Sequence, residues 1–216
     1  MPLVSVEWRD YSRNMNEQIT MRMLEQAFQQ HRPALHFSVT AKERAAVAII
    51  AREKADLSLE ILMIQRATHH LDPWSGHMAF PGGREEAQDH SLEETARRET
   101  FEEVNLKLRA QMLLGRLDDL SAGHIRPHSM SISPFVYAWE GPADLKMSHE
   151  VARALWLPLD YLLNSANVCP YEPQGHHSRP VFPALHWEGC MIWGLSYQML
   201  CMLGRLLGRE MIQEIE

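Results

Sequence analysis

The chain has 216 residues and a formal net charge of −7 with its histidines neutral. This length suits one domain with a small extension, and a composition of 45% hydrophobic and 23% charged residues is that of a globular protein able to bury a core. The acidic balance argues against the basic face of a nucleic-acid-binding protein, although an acidic protein can bind polyphosphates where a metal ion supplies positive charge.

The three cysteines, Cys169, Cys190 and Cys201, form no C-x-x-C pair. This pattern is typical of buried thiols in a reducing compartment rather than of a zinc site. The first fifteen residues carry charges where a signal peptide needs an apolar run, and the most apolar stretch, 191–208, is interrupted by polar residues. We therefore expect a cytoplasmic protein without a membrane partner.

The first predicted element is a helix. Residues 15–31 place apolar side chains at helical intervals, which predicts an amphipathic helix that caps the main domain. A proline-containing linker follows, and the residue before a proline favours extended backbone. We assign residues 1–40 to an N-terminal helical extension and residues 41–216 to the main domain.

From Arg44 the pattern changes to β-rich runs separated by polar turns, and each run predicts a strand. The predicted strands are residues 44–53, 60–67, 77–83, 111–120, 131–141 and 151–159, followed by a hairpin at 179–195. The turn of that hairpin is expected near Glu188 and Gly189. Two further helices are predicted at 159–165 and 196–211.

The clearest helix signal covers residues 92–105. Ser91 is placed as its N-cap and Glu94 follows three residues later, which is a capping-box pattern. Strands and helices together predict an α/β domain, with a mixed β-sheet sandwiched between helices and helices added at both ends of the chain.

Three glutamates of this helix, Glu99, Glu102 and Glu103, lie three and four positions apart and therefore project from one face. Like charges at this spacing destabilise an isolated helix by roughly 0.2–0.5 kcal/mol per pair. Arg97 and Arg98 offset part of this repulsion, and a divalent cation offsets more. Carboxylate oxygens suit Mg²⁺ or Mn²⁺, while a solvated acidic face is the alternative interpretation.

The helix and the loop before it carry a fixed series of glycine, acid, arginine and paired glutamates: Gly83, Asp89, Arg98, Glu99, Glu102, Glu103 and Leu106. The series resembles the Nudix box, which reads Gly, five residues, Glu, seven residues, Arg-Glu, an apolar residue, any residue, Glu-Glu, any residue, Gly, apolar. Asp89 departs from it, with eight residues before Arg98, as do Thr100 and Asn105. Asn tolerates the left-handed conformation that a helix end often needs.

The resemblance to the Nudix family implies the Nudix fold and Mg²⁺-dependent hydrolysis of the diphosphate bond in a nucleoside diphosphate derivative, with Mn²⁺ as a possible substitute. It implies that Glu99, Glu102 and Glu103 hold one or more ions and that the Gly82 carbonyl is a further ligand. Arg98 would orient one of these glutamates without binding the ion itself. The ions would neutralise phosphate charge and lower the pKa of an attacking water.

Glu150, just before the strand predicted at 151–159, has two interpretations. It either closes over the metals as a general base or additional ligand, or it is a loop carboxylate at a strand start.

Residues 62–83 resemble the signature of one Nudix subfamily, the coenzyme A diphosphatases, which also carry an inserted residue in the box. The matching positions are Leu62, Arg66, Ala67, Gly76, Phe80, Pro81, Gly82 and Gly83. The second arginine of that signature falls on Asp72, which would repel the 3′-phosphate that an arginine would bind. The resemblance implies substrate contacts from Arg66, Phe80 and Gly83.

Coenzyme A or an acyl derivative is therefore the expected partner, and ADP-ribose or a nucleotide sugar is the alternative substrate. A Nudix-fold protein that binds a nucleotide without hydrolysing it is a third interpretation, motivated by the departures from the box. The leucine-rich final helix is compatible with core packing or with a homodimer.

Overall fold

The computed structural model describes residues 18–36, 43–68, 75–122, 130–142, 144–173 and 181–213. A mixed sheet of eight strands forms its centre, and a three-stranded antiparallel sheet lies beside it. The strands of the large sheet are β1 (Arg44–Glu53), β2 (Leu59–Arg66), β3 (Met78–Ala79), β4 (Gly82–Arg84), β5 (Leu113–Arg116), β6 (Leu120–Ala122), β7 (Met130–Trp139) and β8 (Val151–Pro158). The small sheet contains β9 (Val168–Tyr171), β10 (Phe182–Trp187) and β11 (Cys190–Ile192). The helices are α1 (Met21–Gln30), α2 (Leu92–Val104), α3 (Leu159–Leu162) and α4 (Gly194–Leu206).

Strand β1 is the centre of the large sheet. It pairs in parallel with β7 along its length, from Arg44 opposite Ser131 to Arg52 opposite Trp139. On its other side it pairs antiparallel with β2 near one end and with β4 near the other. Neighbouring strands and helices on both faces bury β1, which explains why its sequence reads as a continuous apolar run.

Helices cover both faces of the sheet, as the sequence predicts. Alternate residues of β1 point to opposite faces, so Ala48 and Ile50 pack under α2 while Ile49 and Ala51 join the core that holds α1, α3, α4 and the small sheet. The helix α1 belongs to that second core through buried Leu24 and Phe28. Among the residues described, no helix is both long enough and apolar enough to cross a membrane.

Helix α2 has the predicted capping box at its start. The Glu94 N–H donates to Ser91 Oγ over 3.1 Å, and the Glu94 carboxylate accepts from the His90 N–H over 2.9 Å. The Glu94 carboxylate therefore bonds to the N–H of the residue before the N-cap, and not to the N–H of Ser91 itself. The helix ends at Asn105, whose φ of 58° and ψ of 26° place it in the left-handed region.

Several predicted boundaries are wrong for local reasons. The run at 77–83 is two short strands, because Pro81 lacks an N–H for the ladder, although its carbonyl accepts from Ala48 N–H over 2.8 Å. The run at 111–120 divides into β5 and β6, with Asp119 in the break accepting from Ser133 Oγ over 2.7 Å.

Other differences lie near the C-terminus. Strand β9 was not predicted, because it is short and contains Pro170. The hairpin turn is confirmed, with positive φ at both Glu188 and Gly189. The final helix spans Gly194–Leu206 rather than 196–211. The first helix is confirmed over Met21–Gln30, which is shorter than predicted.

Because only glycine and a few polar residues adopt the left-handed conformation at low cost, the end of α2 can be tested at Asn105. We predict that Asn105→Val lowers the free energy of unfolding by about 1–2 kcal/mol. Asn105→Gly, the matched control, leaves it nearly unchanged. Urea denaturation followed by circular dichroism measures both, and equal losses in the two variants would contradict the conformational explanation.

Candidate metal-binding and catalytic site

Four segments bring the predicted site residues together beside the N-terminal half of β1. They are the end of β2, the loop that leads into β4, helix α2 and the turn before β8. Backbone hydrogen bonds join these segments: the Ser148 N–H donates to the Glu103 carbonyl over 2.9 Å, and the Ala67 N–H donates to the Glu150 carbonyl over 2.7 Å.

Glu103 is the buried carboxylate of the site. Its residue is 3% exposed, and its Oε2 accepts a hydrogen bond of 2.9 Å from the Gly82 N–H. Burial, together with the negative charges of Glu99 and Glu150, raises the pKa of Glu103 to about 8, against the opposing effects of the Gly82 N–H and the Arg66 charge. Without a cation, this carboxyl therefore holds a proton at neutral pH.

Glu99 lies against the glycine loop. A Cβ on Gly83 would overlap the Glu99 carboxylate, so a glycine is needed for this approach. Burial raises the pKa of Glu99, with smaller contributions from the charges of Glu102 and Glu150, while Arg98 acts in the opposite direction. The loop backbone therefore lies close to the acidic face of α2, and the group next to Gly83 is the Glu99 carboxylate.

Arg98 connects the acidic groups. Its Nε and Nη2 each donate to the Asp89 carboxylate over 2.9 Å, and its Nη1 donates to Glu99 over 2.9 Å and to Glu102 over 3.2 Å. Nη2 also donates to the Arg84 carbonyl over 3.0 Å. These partners raise the pKa of Arg98, chiefly through Asp89. Arg98 thus contacts two of the three glutamates, and its role in orienting them stays a prediction.

Asp89, which stands at the acid position of the box, lies against Arg98. Arg98 is the main cause that lowers the pKa of Asp89 to about 2, and the Thr95 hydroxyl also donates to it over 2.9 Å. With eight residues between them instead of the seven of the Nudix box, Asp89 and Arg98 still form this ion pair, and Asp89 anchors the arginine. Sequence reasoning left this role out, although the nine-residue separation of Asp89 and Arg98 across a helix start was visible.

Glu102 and Glu150 are the accessible carboxylates of the site, with 55% and 62% of their side chains exposed. Glu150 lies on the turn before β8, and its negative charge contributes to the raised pKa of both Glu99 and Glu103. The structure therefore brings Glu150 within electrostatic reach of the helix, and its role as a base or a ligand stays a prediction.

Phe80 and Arg66 differ in position. Phe80 is 2% exposed and packs in the core that contains α4, so its location does not support the predicted contact with a substrate. It anchors the loop that carries Gly82 instead. Arg66 ends β2 at an irregularity in the pairing with β8, and its charge acts on the Glu103 carboxyl. Asp72 lies outside the described residues.

The donor set fits a hard divalent cation. In the part of the chain that the structure describes, no three His, Cys, Asp or Glu side chains are already arranged as a metal site. The available donors are nevertheless all oxygens, and they include Glu99, Glu102 and Glu103 on one face of α2. Two of these carboxyls have a raised pKa from burial and mutual repulsion, which a positive ion between them would relieve.

The chain is similar in sequence to known proteins. The chain is 37% identical over 139 residues to an uncharacterized Nudix hydrolase, NudL, of Yersinia enterocolitica, covering 62% of this chain and 68% of the relative. It is 38% identical over 108 residues to an uncharacterized protein of Schizosaccharomyces pombe, covering 48% of this chain but only 33% of that longer protein.

The fold has a counterpart among solved structures. A MutT/nudix family protein from Enterococcus faecalis superposes with a TM-score of 0.54 at 17% identity, covering 91% of this chain and 71% of that protein. The sequence model of the NUDIX domain matches residues 41–183, which is more than half of the chain and includes all of the site residues described above. The chain therefore belongs to the Nudix hydrolase family.

Proposed function

We propose that this protein is an Mg²⁺- or Mn²⁺-dependent diphosphatase that splits a nucleoside diphosphate derivative into two monophosphates, with a coenzyme A-type molecule as its favoured substrate. The observation that carries the proposal is the acidic face of α2, where Glu99, Glu102 and Glu103 lie beside the Gly82 backbone and around Arg98. A diphosphate needs local positive charge, and these groups are suited to hold it.

In this proposal Glu99, Glu102 and Glu103 supply carboxylate oxygens to the cation, and the Gly82 carbonyl is a further ligand. A bound ion would neutralise the phosphate charge and make a water more acidic. The Gly82 N–H positions the Glu103 carboxylate, because it donates to one of its oxygens. Arg98 fixes Glu99 and Glu102 from the side, which limits their rotamers before an ion binds.

Glu150 is the group that we assign as the proton acceptor for the attacking water. Its side chain is largely exposed, and its charge acts on both Glu99 and Glu103, so it lies at the open side of the site. Arg66 is assigned to a phosphate oxygen, since its positive charge already acts on Glu103 at the inner side. These two residues would approach a bound diphosphate from the ends of β2 and of the turn before β8.

The substrate class rests on the resemblance of residues 62–83 to the coenzyme A diphosphatase signature. Asp72 favours the second candidate, ADP-ribose or a nucleotide sugar, because an aspartate there removes the arginine suited to a 3′-phosphate. Coenzyme A, ADP-ribose and nucleotide sugars all join a nucleoside to the rest of the molecule through a diphosphate, so all of them fit the same acidic site.

Product analysis tests the proposal directly. Incubation with Mg²⁺ or Mn²⁺ and coenzyme A is expected to yield 4′-phosphopantetheine and adenosine 3′,5′-bisphosphate, measured by chromatography and mass spectrometry. ADP-ribose and a nucleotide sugar are the parallel substrates, and cleavage of these alone would support the second candidate. Release of no monophosphate from any of them, between neutral and alkaline pH, would contradict the proposed activity.

Glu102 can be substituted with little expected effect on stability, since more than half of its side chain is exposed. We predict that Glu102→Gln lowers kcat by roughly 100-fold or more, because it removes a carboxylate that holds the cation on which the reacting phosphate depends. The control is Glu93→Gln on the same helix, where Glu93 faces Arg97 at 3.5 Å outside the acidic face. Equal activities of the two variants would argue against metal binding by Glu102.

The raised pKa of Glu103 predicts how stability depends on pH without metal. Between its ordinary value of 4.5 and about 8, the folded protein holds a proton that the unfolded chain releases, so the free energy of unfolding falls as pH rises. Mg²⁺ competes with that proton, and we expect it to raise Tm more at pH 8 than at pH 6.

Thermal unfolding in the presence of a chelator or Mg²⁺ measures this effect. Glu103→Gln should flatten the pH dependence between pH 5 and pH 8 and remove most of the Mg²⁺ effect, since it carries no titrating proton. Glu25→Gln, at an exposed position of α1, is the control that should keep both. If Glu103→Gln keeps the same pH dependence of Tm, then another titrating group causes that dependence.

A further inference from the structure

Four aromatic rings meet at Trp193, which follows β11 and precedes α4. The ring centroids of His77, Tyr171 and Phe182 lie 5.0, 5.4 and 5.5 Å from that of the indole, with interplanar angles of 65°, 57° and 46°. None of these described rings stacks in parallel on the indole. The four residues come from separate parts of the sequence, which is why no local pattern predicted the cluster.

The exposure of this group separates it from ordinary core packing. All four residues are partly exposed, whereas the core aromatics Phe80 and Tyr197 are buried. Edge contacts between rings stabilise the junction between the small sheet and β3. Such a structural role accounts for the contacts, but it leaves unexplained why the rings remain open to solvent.

The segment that contains β3 connects the aromatic cluster with the candidate site. The His77 carbonyl accepts from the Arg66 N–H over 3.0 Å, and Arg66 is the residue whose charge acts on Glu103. The Ser196 hydroxyl donates to the Met78 carbonyl over 2.9 Å, which fixes the first turn of α4 beside β3. From His77 to Gly82 the chain spans at most roughly 17 Å at about 3.3 Å per residue.

Space for a ligand lies next to the cluster. A cavity of about 330 Å³ is lined in part by Phe182, which belongs to the cluster, and by Gly194, the neighbour of Trp193. Gly194 has no atom within 4 Å of the position of an added Cβ. The volume is at the lower end of the range of small-molecule sites and is large enough for a planar heterocycle.

We propose that Trp193, with His77, Tyr171 and Phe182, forms a stacking site for the nucleobase of the diphosphate substrate. The inference rests on the proposed function, because it assigns the second end of a molecule whose diphosphate lies at α2. An adenine ring is the chemical class that we assign, since its flat π-face suits a partly exposed indole and coenzyme A and ADP-ribose both carry it.

Steady-state kinetics with coenzyme A and ADP-ribose test the site. Trp193→Ala is expected to raise KM about 10-fold with little change in kcat, because a remote binding contact is lost equally in the ground and transition states. Trp193→Phe, which keeps a ring, should retain most of the affinity. The matched control is Trp187→Ala, since Trp187 lies on the same small sheet but packs on Tyr161 at 4.7 Å.

A binding experiment separates this inference from the proposed activity. With Mg²⁺ present, AMP should quench the tryptophan fluorescence of the wild-type protein, whereas ribose 5-phosphate, which has no base, should not. The quench should disappear in Trp193→Phe and persist in Trp187→Ala. A quench without turnover of any diphosphate would leave the stacking site standing and overturn the proposed hydrolysis.

The opposite outcome is equally clear. If AMP causes no quench, if the quench survives in Trp193→Phe, or if Tyr171→Leu changes neither the quench nor the KM, the stacking site is wrong even when the wild-type protein is an active diphosphatase. Tyr171→Leu also replaces Trp193→Ala in the kinetic test should that protein fail to fold, because it leaves the indole in place.

Discussion

One guanidinium group, that of Arg98, keeps the acidic face of α2 in order. It lies between Asp89 on one side and Glu99 and Glu102 on the other, and it donates hydrogen bonds to all three carboxylates. The planar fork of arginine can serve these partners at once, which a lysine ammonium cannot do with the same geometry. The buried carboxyl of Glu103 accepts a hydrogen bond from the Gly82 N–H. The site therefore collects more carboxyl groups than its arginine can pair, and a bound cation would replace the proton that Glu103 otherwise holds.

The departures from the Nudix box have structural explanations of their own. The Thr100 hydroxyl is buried and donates to the Ala96 carbonyl over 2.7 Å, so its hydrogen-bonding requirement is met within the helix. Asn105 adopts the left-handed conformation for which the family pattern has glycine. Asp89 anchors Arg98. None of the three alters the carboxylate face, and this weakens the case for a protein that binds a nucleotide without hydrolysing it.

Local chemistry decided which parts of the fold could be predicted. The bounds of β1 and the capped start of α2 follow from apolar runs and cap residues that act over a few positions. The helical register likewise placed Glu99 and Glu103 on one face. The burial of Glu103 and of Phe80 could not be foreseen, because it depends on segments that only the tertiary fold brings into contact. The same limit hid strand β9 and the rings around Trp193.

The parallel seam between β1 and β7 has a consequence for how the chain assembles. Ala48 opposes Phe135, so helix α2 with its glutamates Glu99, Glu102 and Glu103 lies between the two partners along the chain. Loop-closure entropy makes such distant pairings late and slow. During synthesis, β1 can acquire its central neighbour only after the ribosome has passed Trp139, and until then one hydrogen-bonding edge of an apolar strand is open to other chains. The order of translation therefore exposes the first strand of this protein before its parallel partner has been made.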